Sequence, residues 1–241
     1  MKKIGILLGG VAILIGGHLL KHKAKSKSED ERLLEWVSKY YTICDKKYNK
    51  VRSKDKVIDK EKLLTHIQYV SDIAREIYVE SGEDAHHAQK VLKVAAYLHD
   101  IEKIKNPKEH AILGVDYVEK NRKFLKENFL LNDADIHQIK DMILFHSKGK
   151  YKQHKEKKDK DNEARSDYIK ILQDADKISK IYKGKGDAYI DAWLESKYDK
   201  KKTKHKKQKE LTDRITKRGL NFKCSYQIFK RRFNKYIKDK K

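Results

Sequence analysis

The chain has a single proline, Pro107, and only 11 glycines in 241 residues. That scarcity argues against a turn-rich β-sandwich, which spends such residues at its reversals. Two cysteines, Cys44 and Cys224, stand far apart and form no CxxC or other zinc spacing. They exclude a disulfide scaffold and point to a reducing compartment. There is no glycine-rich phosphate loop, so ATP-driven chemistry is not suggested. No Ser-His-Asp or Cys-His grouping stands out. Acidic residues are also in short supply: 36 Asp+Glu face 59 Lys+Arg, for a net charge of +23. A surplus of that size favours anionic partners such as phosphates, nucleic acid or acidic lipid. Hydrophobic residues, at 38%, still suffice for a core, which excludes disorder throughout.

Residues 4–20 read IGILLGGVAILIGGHLL, with no charge. At ~1.5 Å per residue this run reaches about 26 Å, the lower limit for a hydrocarbon core of ~30 Å. Lys2 and Lys3 precede it, and Lys21, Lys23, Lys25 and Lys27 follow. A cleaved signal peptide shares the basic start and apolar centre, but no small-x-small site precedes Lys21. The expectation is an uncleaved single-pass anchor over residues 1–27. The heavier charge after the span predicts that the rest of the chain stays cytoplasmic.

Beyond the anchor the apolar residues recur at a helical period nearly everywhere. The spacing predicts helices over 31–49, 58–80, 84–99, 108–128, 133–146 and 166–182. Gly82 is placed to end the second of them. No stretch sustains a period of two, so the expected fold is an all-α bundle with short connections. Residues 148–165 are almost wholly polar and read as a Lys-rich solvated insertion, or as a lid over an anionic substrate. Residues 199–241 carry 18 Lys/Arg against four Asp/Glu. Residues 199–209 are expected to be disordered, and 210–239 to form one or two basic amphipathic helices. Phe222, Phe229, Phe233 and Tyr236 interleave there. They either lie in an anionic lipid interface or pack on the domain; nucleic acid is the other anionic partner the charge allows. The organisation read from the chain is therefore an anchor (1–27), an N-terminal helix (28–57), a main domain (58–198) and a basic tail (199–241).

The sharpest feature is His99-Asp100, in the string AAYLHDIEK at the end of an apolar helix. His66 lies on an inward stripe one helix upstream, and Asp176 lies on another downstream. Buried imidazoles and carboxylates cost several kcal/mol unless paired or metal-bound. Three such positions on core-facing stripes share an explanation in a metal centre. Nitrogen and oxygen ligands together suit Fe, Mn, Co, Ni or Zn.

His66, His99-Asp100 and Asp176 resemble, in order and spacing, the HD superfamily of metal-dependent phosphohydrolases, over about residues 58–195. HDIEK is similar to the HD-x-x-K form of members with more than one metal, and the resemblance gives Lys103 a contact with substrate phosphate. It places His110 and His146 where dinuclear members have extra ligands. Asp174 and Asp176 both compete for the downstream position. The family's habit of using the second aspartate favours Asp176, with Lys177 as a possible phosphate contact. The chain looks like members that cleave dinucleoside polyphosphates. It also looks like cyclic-dinucleotide phosphodiesterases, although it lacks their GYP motif and their tandem histidine, since Ser147 follows His146. The resemblance implies one or two divalent ions and a phosphorylated, nucleotide-like substrate. It implies hydrolysis of a phosphoester or phosphoanhydride by metal-activated water, with Asp100 and Lys103 as the catalytic pair. A ligand-binding HD domain without turnover, or a basic membrane-surface or nucleic-acid-binding protein, are the competing readings. Glu102 is expected at the surface, with assistance to proton transfer as the alternative. His86, His87, His137, His154 and His205 lie on polar stretches and read as surface residues. Tyr97 and Tyr117 read as packing residues.

Overall fold

The structure, a computed structural model, describes residues 27–53, 57–146, 166–179 and 219–238. Among these there is no strand, as the periodicity predicts. The helices are α1 (Glu29–Tyr48), α2 (Lys60–Glu80), α3 (His86–Leu98), α4 (His110–Lys120), α5 (Arg122–Phe129), α6 (Asp133–Phe145), α7 (Ser166–Ile178) and α8 (Lys223–Lys238). The anchor run 4–20, the insertion 148–165 and residues 199–209 lie outside the described residues. No described helix is long and apolar enough to cross a membrane.

Local chemistry sets the helix limits. Ser28 and Glu31 form a capping box at the start of α1, whose first turn is acidic and whose last is basic. Asp59 caps α2 through the amides of Glu61 and Lys62. Gly82, at φ +93°, ends that run, a backbone that L side chains rarely adopt. The run 108–128, expected as one helix, is broken at Asn121 into α4 and α5. Asn121 leaves helical geometry at φ −103° and ψ 13°, and its side-chain amide donates to the Tyr117 carbonyl at 2.8 Å. Asn competes for backbone hydrogen bonds in this way and so favours helix ends.

The bundle is organised around α2, which packs on α1, α3, α7 and α8. Ile67, Val70, Ile73, Ala74 and Ile77 are its buried stripe. On the far side α4 pairs with α6, which in turn touches α3 and α7. Gly114 permits that pairing. A Cβ there would stand 3.0 Å from the Ile143 side chain. The close approach keeps the start of α4 beside the end of α6, where His110 and His146 lie.

Part of the basic tail belongs to the core. Ile228 and Phe229 are buried, and Phe222 packs against the same cluster. Of the two readings of the tail aromatics, packing therefore holds for Phe222 and Phe229. The side chains of Phe233 and Tyr236 lie outside the described residues. Asp174, fully buried on α7, accepts from the backbone N–H of Asn221 (2.7 Å), from its side-chain amide (2.8 Å) and from the N–H of Phe222 (3.3 Å). Arg231 and Arg232 pair with Glu76 on α2, and Arg231 also pairs with Glu80. Asp174→Ala should strand those donors and cost about 1–3 kcal/mol. Urea denaturation reads the loss of stability, and faster amide exchange in α8 localises it. Unchanged exchange in α8 would show that the Arg–Glu pairs and the buried Ile228 and Phe229 hold the helix without Asp174.

Candidate metal centre

Five elements deliver side chains to one point. His66 comes from the interior of α2, and His99-Asp100 follows the last residue of α3. His110 opens α4, His146 follows α6, and Asp176 lies in the last turn of α7. Gln173 fixes two of these elements, donating from α7 to the Phe145 carbonyl at the end of α6 (2.7 Å). His99, Asp100 and His146 are buried, while His66, His110 and Asp176 form the partly open side.

The side chains form two triads, His66–His99–Asp176 and Asp100–His110–His146. Within each, the potential ligand atoms lie within 4.8 Å of one another. Asp100 joins the triads. Its Oδ2 is 3.4 Å from the Nε2 atoms of both His66 and His99, and its Oδ1 is 3.1 Å from His110 Nε2 and 3.9 Å from His146 Nε2. Asp176 Oδ1 is 3.3 Å from His66 Nε2.

The other ring nitrogens fix the tautomers. His99 Nδ1–H donates to the Ala96 carbonyl at 2.7 Å, and His146 Nδ1–H to the Ile143 carbonyl at 2.6 Å. Both acceptors are among the last four carbonyls of their helices, which have no intrahelical partner. His110 Nδ1–H donates to the Pro107 carbonyl at 2.8 Å, in the turn before α4. His66 Nδ1 meets Ser179 Oγ at 3.2 Å. That hydroxyl spends its own proton on the Asp176 carbonyl at 2.8 Å, so it accepts from His66. Each Nε2 therefore presents a lone pair inward, the arrangement metal-ligating histidines adopt.

The residues fit a divalent transition ion. The Nε2 atoms of His66 and His99 are buried without a hydrogen-bond partner. The Nε2 atoms of His110 and His146 face each other at 3.2 Å. Two lone pairs at that distance repel unless a positive charge stands between or beside them. Burial alone would raise the Asp100 carboxyl. The ammonium of Lys103, and after it the imidazoles of His99, His110 and His66 close around the carboxylate, outweigh burial and hold it well below the usual carboxylate range. Burial and the neighbouring His99 lower His146 to about 3, so it stays neutral and able to coordinate. For His66 burial works downward, but the nearby carboxylates of Asp100 and Asp176 outweigh it and raise the imidazole. A proton there competes with an ion for the same nitrogen.

All six side chains expected as ligands converge here, and of the two candidate aspartates Asp176 is the one beside the histidines. Asp176 faces the histidines, while Asp174 faces the tail. Lys103 also lies at the centre, 2.5 Å from Asp100 Oδ2 and a third exposed. Lys177 does not. Its ammonium donates to the Gly219 carbonyl at 2.9 Å, on the Asp174 side. Glu102 is not at the surface. It is buried and accepts from the Tyr40 hydroxyl at 2.6 Å, because α1 covers the turn that follows Asp100. His86, His87 and His137 are exposed, as expected, and His154 and His205 lie outside the described residues. Tyr97 is buried and Tyr117 packs on Trp36 and Tyr40, both as expected. Ser179 was not anticipated. The one available signal was a histidine inside a helix, which has no spare carbonyl of its own to hold Nδ1.

Residues 63–181 match the family model described as the HD domain, and the match spans every residue of both triads. No curated protein and no solved structure matches the chain.

Proposed function

We propose that the HD domain carried by residues 63–181 is a divalent-metal-dependent phosphohydrolase, cleaving a phosphoester or phosphoanhydride bond of a nucleotide-like substrate. HD domains are typically metal-dependent phosphohydrolases. The observation that carries the reading is the convergence of four inward Nε2 atoms and two carboxylates on one partly exposed cluster. His66, His99 and Asp176 would hold one ion, and His110 and His146 a second, with Asp100 shared between them. Ions in these positions supply an acidified water at neutral pH and positive charge at the phosphoryl group.

The chain's own residues do the rest. The tautomers set by Ala96, Pro107, Ile143 and Ser179 keep the inner nitrogens unprotonated. The low Asp100 carboxyl keeps its charge over the working pH range. Lys103 stands at the open edge, where its ammonium reaches the substrate's phosphoryl oxygens and stabilises charge that develops on them. The apolar run 4–20 and its basic flanks support a membrane-held enzyme with this domain on the cytoplasmic side.

The test uses the full chain in detergent, stripped with chelator and reloaded with Mn, Fe, Co, Ni or Zn. The substrates are a nucleoside triphosphate, a dinucleoside polyphosphate, a cyclic dinucleotide and a chromogenic phosphodiester. The expected result is hydrolysis of at least one substrate that chelator removes and one ion restores. A metal-loaded chain inert across the set would favour the ligand-binding reading instead.

A further inference from the structure

We infer that Ser179 is a positioning residue that sets the tautomer of His66 and thereby the affinity of the first triad for its ion. The inference rests on the metal reading above and goes beyond it to a residue outside the ligand set. His99, His110 and His146 sit at helix ends or in turns, where unpaired carbonyls are at hand. His66 sits inside α2, where the carbonyls one turn away are engaged in the helix. Its Nδ1 must find an acceptor on another element, and Ser179 Oγ fills that place at 3.2 Å.

The hydroxyl is not free to choose its direction. It is buried, and its own proton goes to the Asp176 carbonyl at 2.8 Å. A serine that donates to one group can only accept from the other. His66 is therefore held as the Nδ1–H tautomer with Nε2 as the lone pair. The same hydroxyl ties the ligand of α2 to the last turn of α7, which carries Asp176. One side chain thus orients His66 and holds it to the turn that carries Asp176.

Without that hydroxyl, His66 Nδ1 loses its acceptor inside a mostly buried site. The ring then gains freedom to rotate or to place its proton on Nε2, facing Asp100 and Asp176. Either change removes the lone pair an ion needs. The test titrates Co2+ into the chelator-stripped full chain in detergent, following cobalt's visible absorption in competition with a chelator of known affinity. Ser179→Ala should weaken binding by about 10–100-fold, the usual effect of losing a group that orients a metal-bound histidine. Ser179→Thr keeps the hydroxyl and should recover most of that loss. Thermal melting of the metal-free variants should match the wild type, which separates orientation from folding. Wild-type affinity in Ser179→Ala would overturn the inference, as would equal weakness in the Ala and Thr variants with unchanged melting. A wild-type chain that binds no Co2+ would overturn the metal reading itself, and this inference with it.

Discussion

Asp100→Ala should abolish hydrolysis while leaving the helical content largely intact. Asp100 faces both triads, with one oxygen toward His66 and His99 and the other toward His110 and His146. On the proposed reading, removing it takes a ligand from each ion and a partner from Lys103. Loss of a single electrostatic stabiliser already slows enzymes by about 10²–10³-fold, and loss of a shared ligand should exceed that. The apolar core of α2, α3, α6 and α7 does not depend on this carboxylate. The charge is costly to bury in the metal-free protein, so its loss leaves packing in place. Metal analysis and circular dichroism of the purified variant, beside its rate, make the check. Full activity with metal present would remove Asp100 from the active site. Activity lost together with the helical signal would reduce Asp100 to a folding residue.

The second large effect is on metal number. The wild-type chain should hold about two ions, as two-metal phosphate sites do. His110→Ala combined with His146→Ala should leave near one, held by His66, His99, Asp100 and Asp176. The geometry supports a clean separation, because these two rings contribute only to the second triad. Elemental analysis after removal of loosely bound metal gives the count. A wild-type chain with a single ion would return His110 and His146 to structural roles at helix ends. Two ions in the double variant would do the same.

His66, His99-Asp100 and Asp176 were legible as polar side chains on or beside apolar stripes in a distinctive order; His110 and His146, at helix ends, were reached only through the family resemblance. The choice between Asp174 and Asp176 was not settled by the residues alone. Two residues apart on a helix, their side chains point about 200° away from each other. One of them should have faced solvent, but both faces of α7 are covered, one by the histidines and the other by the start of α8. The second cover comes from residues 221 and 222, too distant in sequence for a local pattern to show. Glu102 misled for the same reason. A charged residue in a turn reads as exposed, and the Tyr40 that buries it lies 62 residues upstream. Ser179 and His66 are 113 residues apart. Periodicity reports which face of a helix is apolar; it does not report what packs on that face. The break at Asn121 was legible in principle, since Asn is a poor residue for a helix interior.

Backbone acceptors give three of the four imidazoles a form of mutational robustness. Ala96, Pro107 and Ile143 contribute peptide oxygens, which every amino acid possesses. Replacement of their side chains leaves the acceptor in place as long as the helix ends keep their positions. Evolutionary drift at these sites is therefore nearly neutral for the orientation of His99, His110 and His146. Divergent chains can rewrite much of the surrounding sequence and still inherit the same ring orientations, provided that the ligands themselves and the lengths of α3 and α6 persist. His66 is the exception, because its orientation depends on the identity of one side chain. Selection acting on this centre should thus be concentrated on the coordinating side chains and Ser179, and relaxed at the three residues whose carbonyls alone accept from the rings.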